Sequence, residues 1–270
     1  MSSSPGLGVL AEWVVAHLES TLEHQPEYSV LRTPASPSYY FGNALALHGS
    51  LETRDRVGWE AEFRAVFPDQ AVTRHRTFIW TPTHSTAEAE CRQTFEDAGY
   101  KFNETHVLTL PPGQTIRPLE VQKGFDIRPL SGSGHWQQWL EMELAGREPG
   151  HAEEDYRLYL ETRQHNYRAL EAAGHGQFFG AFAGHLLIGA AGIYHYQRLA
   201  RFQYVRVIDG WQGRGIAKQL LAHLSNWVKP HADTQIILAD ANYHATQLYQ
   251  NLGFGVTEHE ASLCWWPKDE

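Results

Sequence analysis

Residues 207–221 read VIDGWQGRGIAKQLL, a glycine-rich turn that runs into an apolar helix pattern. Gly210, Gly213 and Gly215 fall within six residues of one another. A loop that opens into a helix presents free main-chain amides, and the helix dipole adds positive potential there. Gly213 and Gly215 carry no Cβ, so a ligand can approach the backbone, and Arg214 can add a charged contact. The segment therefore predicts a loop that binds an anion such as pyrophosphate.

Two common nucleotide-binding loops do not fit this segment. A Walker A loop needs lysine after its last glycine, but Ile216 stands there. A dinucleotide fingerprint needs a third glycine where the chain has Lys218. The anion loop is thus predicted to work without the lysine and the metal ligand of a Walker A loop.

The composition restricts the class of protein. Of 270 residues, 42% are hydrophobic, and the net charge is −9 without a cluster of lysine or arginine, which argues against nucleic-acid binding. Cys91 and Cys264 form no CxxC spacing, so we expect no disulfide framework and no thiolate zinc site; a cytoplasmic location fits. The 16 histidines include no HExxH motif, and no metal is expected. The first twenty residues predict an amphipathic helix rather than a signal peptide.

One uncharged stretch, FFGAFAGHLLIGAAGIYHY at 178–196, is long enough to span a membrane. Glycines interrupt it at positions 180, 184, 189 and 192, and AGH lies where a hairpin turn is expected. Two buried strands joined by a tight turn explain the pattern better, so no membrane association is expected; a membrane span is the alternative.

The C-terminal half alternates strands and helices, which predicts a mixed sheet with helices on its faces. The predicted elements are a strand at 125–129, helices at 134–144 and 153–172, the hairpin, a strand at 202–208, a helix at 215–228, a strand at 235–239, a helix at 243–251 and a last strand ending at 266.

The two halves of the chain also share a weak internal repeat. FEDAGYKFNETHVLTL, from residue 95, aligns with YQNLGFGVTEHEASLC, from residue 249. A Pro/Gly-rich segment separates the halves. These features predict a duplicated fold, with an N-terminal domain at 1–112, a linker at 113–124 and a second domain at 125–270.

Two motifs resemble the hallmarks of the GNAT acetyltransferase superfamily. QGRGIA at 212–217 resembles its (Gln/Arg)-x-x-Gly-x-(Gly/Ala) signature, and NYHATQLYQNLGF at 242–254 resembles its Asn-x-x-Ala-x-x-Leu-Tyr-x-x-x-Gly-Phe motif. They occur in the family's order, separated by one helix and one strand. The resemblance covers about residues 125–266. It implies an α/β fold with a mixed, mostly antiparallel twisted sheet flanked by helices, here as two tandem copies.

The resemblance implies an acetyl-CoA-dependent N-acetyltransferase in which an amine attacks the thioester directly and backbone donors stabilise the oxyanion. Tyr249 would protonate the departing thiolate. The resemblance also places Asn242 at the pantetheine arm and the main chain of a strand at the pantetheine and thioester. The strand residues are Val205, Arg206 and Val207, and the implied pyrophosphate loop consists of Gln212, Gly213, Arg214, Gly215, Ile216 and Ala217.

The general base and the acceptor stay open at this point. The base candidates are Asp240, His195, Glu143 or a bound water, and a small-molecule amine is the expected acceptor. The N-terminal half has no equivalent glycine loop and has Phe95 at the position of Tyr249, which predicts an inactive copy beside an active one. The alternative function is a non-catalytic GNAT-like protein that binds an acyl-CoA as a sensor or scaffold.

Overall fold

The computed structural model describes residues 5–117, 124–147, 153–241 and 245–267. Its helices are α1 (Leu7–Ala16), α2 (Arg56–Val66), α3 (Thr86–Asp97), α4 (Gly132–Ala145), α5 (Glu153–Ala172), α6 (Ile216–Val228) and α7 (Ala245–Gln250). Its strands are β1 (Thr21–His24), β2 (Tyr28–Arg32), β3 (Ala44–Leu47), β4 (Arg76–Trp80), β5 (Lys101–Thr109), β6 (Asp126–Pro129), β7 (Gly176–Ala183), β8 (Leu186–Tyr196), β9 (Leu199–Val207), β10 (Thr234–Asp240) and β11 (Gly255–Trp265).

The chain forms two units, each built from separate segments of the sequence. The first comprises Met1–Leu108, Leu238–Gln247 and Val256–Glu270, and the second comprises Thr109–Ile237 and Leu248–Gly255. Most of the C-terminal strand therefore belongs to the same unit as the N-terminal half. The predicted domains at 1–112 and 125–270 are drawn from the repeat in the sequence, and these bounds stay a prediction. Within the predicted linker, residues 118–123 lie outside the described residues.

In the first unit the strands follow the order β1-β2-β3-β4-β11-β5. β1, β2 and β3 pair antiparallel in turn, β3 and β4 pair parallel, and β11 pairs antiparallel with β4. Trp59 and Phe63, one helical turn apart on α2, share a buried face. Phe78 of β4 lies with its ring centroid 5.8 Å from that of Phe63 and 5.7 Å from that of Phe95. Edge-on aromatic packing thus holds α2 and α3 to the sheet.

In the second unit the order is β10-β9-β8-β7-β6, with β6 to β9 antiparallel and β9 parallel to β10. The core is again aromatic: Phe178 packs edge-on against Trp136 and Trp139 of α4. On the far side of β10, the backbone N–H of Leu110 donates to the carbonyl of Gln235. The segment that follows β5 therefore contributes to this unit.

The uncharged stretch at 178–196 forms the predicted hairpin. β7 and β8 pair antiparallel, with Gly184 in the turn at a φ of +64°. At Gly192 a Cβ would lie 2.6 Å from the Phe178 ring, so glycine there permits the aromatic core to pack against the sheet. Among the residues that the structure describes, no helix has the length and apolar character to cross a membrane.

The two halves repeat one order of elements. The first runs α1-β1-β2-β3-α2-β4-α3-β5, and the second runs α5-β7-β8-β9-α6-β10-α7-β11 after an extra β6-α4. The aligned glycines, Gly99 and Gly253, both have positive φ, +88° and +101°. The predicted fold class, a mixed and mostly antiparallel sheet flanked by helices, is confirmed. The repeat also shows an exchange, because β11 pairs with β4 while the end of the first repeat lies beside β10.

Candidate functional site

The loop between β9 and α6 has three left-handed positions. Gly210, Gly213 and Gly215 have φ values of +77°, +73° and +74°. Residues with a Cβ rarely adopt this backbone conformation, so the loop requires glycine at these positions. A Cβ placed on Gly210 or on Gly213 would meet no atom within 4 Å. The backbone is therefore open to a ligand at both positions.

Side chains brace this loop from within. The Gln212 side-chain amide donates to the carbonyl of Val207 and to the Asp209 carboxylate, both at 3.2 Å. The Arg214 guanidinium lies 4.7 Å from the ring centroid of Trp211, a cation–π contact. Gln212 is therefore turned back toward the strand, and the loop's own contacts fix its shape.

The first turn of α6 has no side-chain cap. Its N-cap residue is Gly215, which makes no side-chain cap hydrogen bond, and the first turn contains no acidic residue. Ile216 is buried and Ala217 half-buried, which anchors the helix end. Free amides and the positive end of the dipole make this terminus able to bind an anion.

The equivalent helix of the first unit is capped. The Asp55 carboxylate at the N-cap of α2 accepts from the amide of Gly58 at 2.8 Å. This carboxylate occupies the place of an anion and repels a phosphate. Of these two equivalent helices, α6 in the second repeat thus has the N-terminus that is able to bind an anion.

Strand β9 is irregular where the predicted thioester contacts lie. Gln203 opposes Gly192 and Arg206 opposes Ala190, so two residues of β9 face the single residue Ala191. This is a β-bulge. Pairing with β10 covers Leu199–Arg201 and Thr234–Ile236, and β9 continues to Val207. Val205 to Val207 thus lie beyond the part of β9 that pairs with β10, while Arg206 and Val207 still pair with β8.

The bulge depends on Tyr204, which the sequence did not single out. Its φ is +48°, an uncommon value for a bulky residue and one that costs about 1–3 kcal/mol. Its hydroxyl donates to the Tyr159 hydroxyl at 3.2 Å, and its ring packs edge-on against Trp139. Contacts from α4 and α5 therefore hold the strained residue in place.

Tyr249 is 7% exposed at the end of α7. Its ring lies 6.2 Å from that of Phe254, which in turn lies 5.8 Å from that of Phe202 on β9. Tyr249, the bulged strand β9 and the glycine loop thus all belong to the second unit. Asn242, the predicted contact of the pantetheine arm, lies outside the described residues.

The three base candidates occupy different places. Glu143 is 1% exposed and accepts from Arg206 Nε of β9 at 2.9 Å. His195 stacks on His231 and lies opposite Ala200, about 16 Å along the strand from Val205. Asp240 belongs to the first unit. Glu143 is thus the candidate that is paired with a predicted site residue.

Burial raises the pKa of Glu143 to about 7, although Arg206 opposes the shift. The folded state favours the neutral form of Glu143. The contribution of this residue to the stability of the fold is therefore complete below its ordinary pKa, and it is lost as the pH rises through 7. The loss amounts to about 3 kcal/mol at most. We expect the wild-type melting temperature to fall between pH 5 and pH 8, and Glu143→Gln to flatten this part of the profile.

The matched control for this prediction is Glu141→Gln, an exposed glutamate on the same helix. Its melting profile should follow that of the wild type. Equal pH dependence in Glu143→Gln and the wild type would show that Glu143 is ionised throughout this range.

The comparisons with known proteins fit this geometry. Residues 150–263 match the family model of the acetyltransferase (GNAT) domain. No curated protein sequence matches the chain. A functionally unknown conserved protein from Staphylococcus epidermidis has a TM-score of 0.74 at 14% identity, covering 96% of this chain and 100% of its own.

Two further solved structures have related folds. A GCN5-related N-acetyltransferase from Kribbella flavida has a TM-score of 0.65 at 11% identity, over 97% of this chain and 95% of its own. A tandem GNAT protein from the clavulanic acid biosynthesis pathway has a TM-score of 0.55 at 15% identity, over 83% and 74%. The matched residues include β9, the glycine loop and Tyr249. Residues 150–263 thus match the acetyltransferase (GNAT) domain, and the fold of the chain resembles that of a tandem GNAT protein.

Proposed function

We propose that the protein transfers the acetyl group of acetyl-CoA to the amine of a small molecule. One observation carries the proposal: the first turn of α6 is uncapped behind a left-handed glycine loop, while the equivalent turn of α2 holds the Asp55 carboxylate. A pyrophosphate fits a terminus of the first kind, because amides and dipole are both available to it. The GNAT match supports acetyl transfer as the reaction class.

In this proposal the residues of the loop bind the donor. The amides around Gly213 and Gly215 donate hydrogen bonds to the pyrophosphate oxygens, and the exposed Arg214 adds positive charge nearby. The main chain of Val205 to Val207 hydrogen-bonds the pantetheine and orients the thioester. The bulge at Tyr204 keeps that part of β9 in a fixed shape, so the donors are positioned before the reaction begins.

The reaction needs two proton transfers, one to the leaving sulfur and one from the attacking amine. Tyr249 gives its hydroxyl proton to the leaving sulfur as the C–S bond breaks. On the other side the amine must lose a proton. Glu143 is buried and paired with Arg206, which favours a bound water as the acceptor of that proton. Glu143 then acts as a positioning residue for Arg206, whose guanidinium lies so close to Gly146 that a Cβ there would be 1.6 Å from its Nη1.

The test combines binding with turnover. Calorimetry of the full chain should show acetyl-CoA binding, and a thiol reagent should detect CoA release in the presence of at least one member of a broad amine panel. Tight binding without release above background for any amine would favour the acyl-CoA sensor instead. No binding of acetyl-CoA would exclude the proposed acetyl transfer.

A further inference from the structure

A cluster of histidine and carboxylate side chains lies in the first unit and includes none of the residues assigned to acetyl transfer. Its members are His84, in the loop between β4 and α3, Glu104 of β5 and His259 of β11. Glu104 Oε1 lies 3.1 Å from His259 Nδ1 and 4.0 Å from His84 Nε2. One ligand atom from each residue falls within 4.8 Å of the other two. Residues far apart in sequence thus converge on one point.

These distances fit a metal ion with small adjustments. Zinc binds histidine nitrogen and carboxylate oxygen at about 2.0–2.2 Å, which places neighbouring ligand atoms of a tetrahedral site about 3.3 Å apart. The pair formed by Glu104 and His259 already has this spacing. His84 Nε2, 4.0 Å from Glu104 Oε1, must move closer to both other ligands; its side chain is 61% exposed in a loop, and its ring packs edge-on against His259 at 6.2 Å.

A third histidine, His106, packs against one of these ligands. His106 follows Glu104 by two residues on β5, so both side chains lie on the same face of the strand. The His106 ring packs edge-on against His259 at 4.9 Å, and its Nδ1 is 3.0 Å from the Thr246 hydroxyl. The hydrogen bond to Thr246 orients the His106 ring, and the edge-on contact restricts the His259 ring beside it.

We propose that His84, Glu104 and His259 form a site for a divalent transition-metal ion such as Zn²⁺. Two neutral imidazoles and one carboxylate suit such ions, since imidazole is a preferred ligand for zinc, copper and nickel. Three protein ligands leave further positions for water or for an external ligand. The site belongs to the first unit and is independent of acetyl transfer.

The test is a Zn²⁺ titration of the chelator-treated full chain at pH 7.5, read by calorimetry and by competition with a chromophoric chelator. We expect one saturable site per chain. His84→Asn, His259→Ala and Glu104→Gln should each weaken binding at least tenfold. Asn tolerates the left-handed conformation of residue 84, where φ is +56°, so this variant avoids new backbone strain.

The control variant is His185→Ala, which removes an exposed histidine in the second unit. It should bind Zn²⁺ like the wild type, because His185 is not part of the cluster. This variant controls for a general effect of removing one of the chain's 16 histidines. Circular dichroism confirms that each variant is folded. Wild-type affinity in folded His84→Asn and His259→Ala, or no saturable Zn²⁺ site in the wild type, would overturn the proposal.

Discussion

Replacement of Gly213 by aspartate is expected to weaken acetyl-CoA binding about 100-fold. A Cβ at this position projects into open space, so the side chain meets no atom of the folded loop. The new carboxylate would stand beside the pyrophosphate, and two like charges about 5 Å apart repel by about 3 kcal/mol at a partly exposed site. The first unit uses the same principle, with the Asp55 carboxylate on the amides of α2.

Gly213→Asn is the matched control for this prediction. Asparagine has nearly the same shape as aspartate and tolerates positive φ equally, so both variants share any backbone strain. The difference between them measures charge alone. Calorimetry of both full-length variants with acetyl-CoA supplies the comparison. Equal affinities for the two variants would place the pyrophosphate away from this loop.

Tyr249→Phe is expected to lower kcat about 100-fold or more while the Kd for acetyl-CoA changes little. General acid catalysis contributes factors of this size, and phenylalanine keeps the ring that packs against Phe254. The measurement is the steady-state rate of CoA release with the amine that turns over fastest. Tyr196→Phe, at the far end of β8 opposite Leu199, serves as the control and should keep the wild-type rate. An unchanged kcat in Tyr249→Phe would exclude Tyr249 as the acid.

The sequence predicted those parts of the fold that are encoded locally. The helix at 153–172 has three acidic residues in its first turn and an apolar stripe at helical spacing, and it begins and ends where the pattern predicts. The hairpin at 178–196 is confirmed for a similar reason, because its glycines break the uncharged stretch at a turn. The pairing of β11 with β4 could not be predicted in this way, because the residue pattern of a strand does not specify which strand it pairs with.

The site divides in the same way. The glycine loop was visible because three left-handed positions require three glycines. Tyr204 was missed, since a tyrosine at positive φ carries no signal in the sequence and is held there only by Trp139 and Tyr159. The cluster of His84, Glu104 and His259 carries no local motif, because Glu104 and His259 lie 155 residues apart, and the expectation of no metal rested on the absence of an HExxH motif.

We propose that the loop from Gln212 to Ala217 binds the pyrophosphate of the donor, and a crystal structure of the full chain grown with CoA would locate that group. We expect pyrophosphate oxygens about 2.7–3.2 Å from main-chain nitrogens of this loop and of the first turn of α6. Bound CoA whose pyrophosphate lies at another place, with no phosphate contact to these amides, would contradict it.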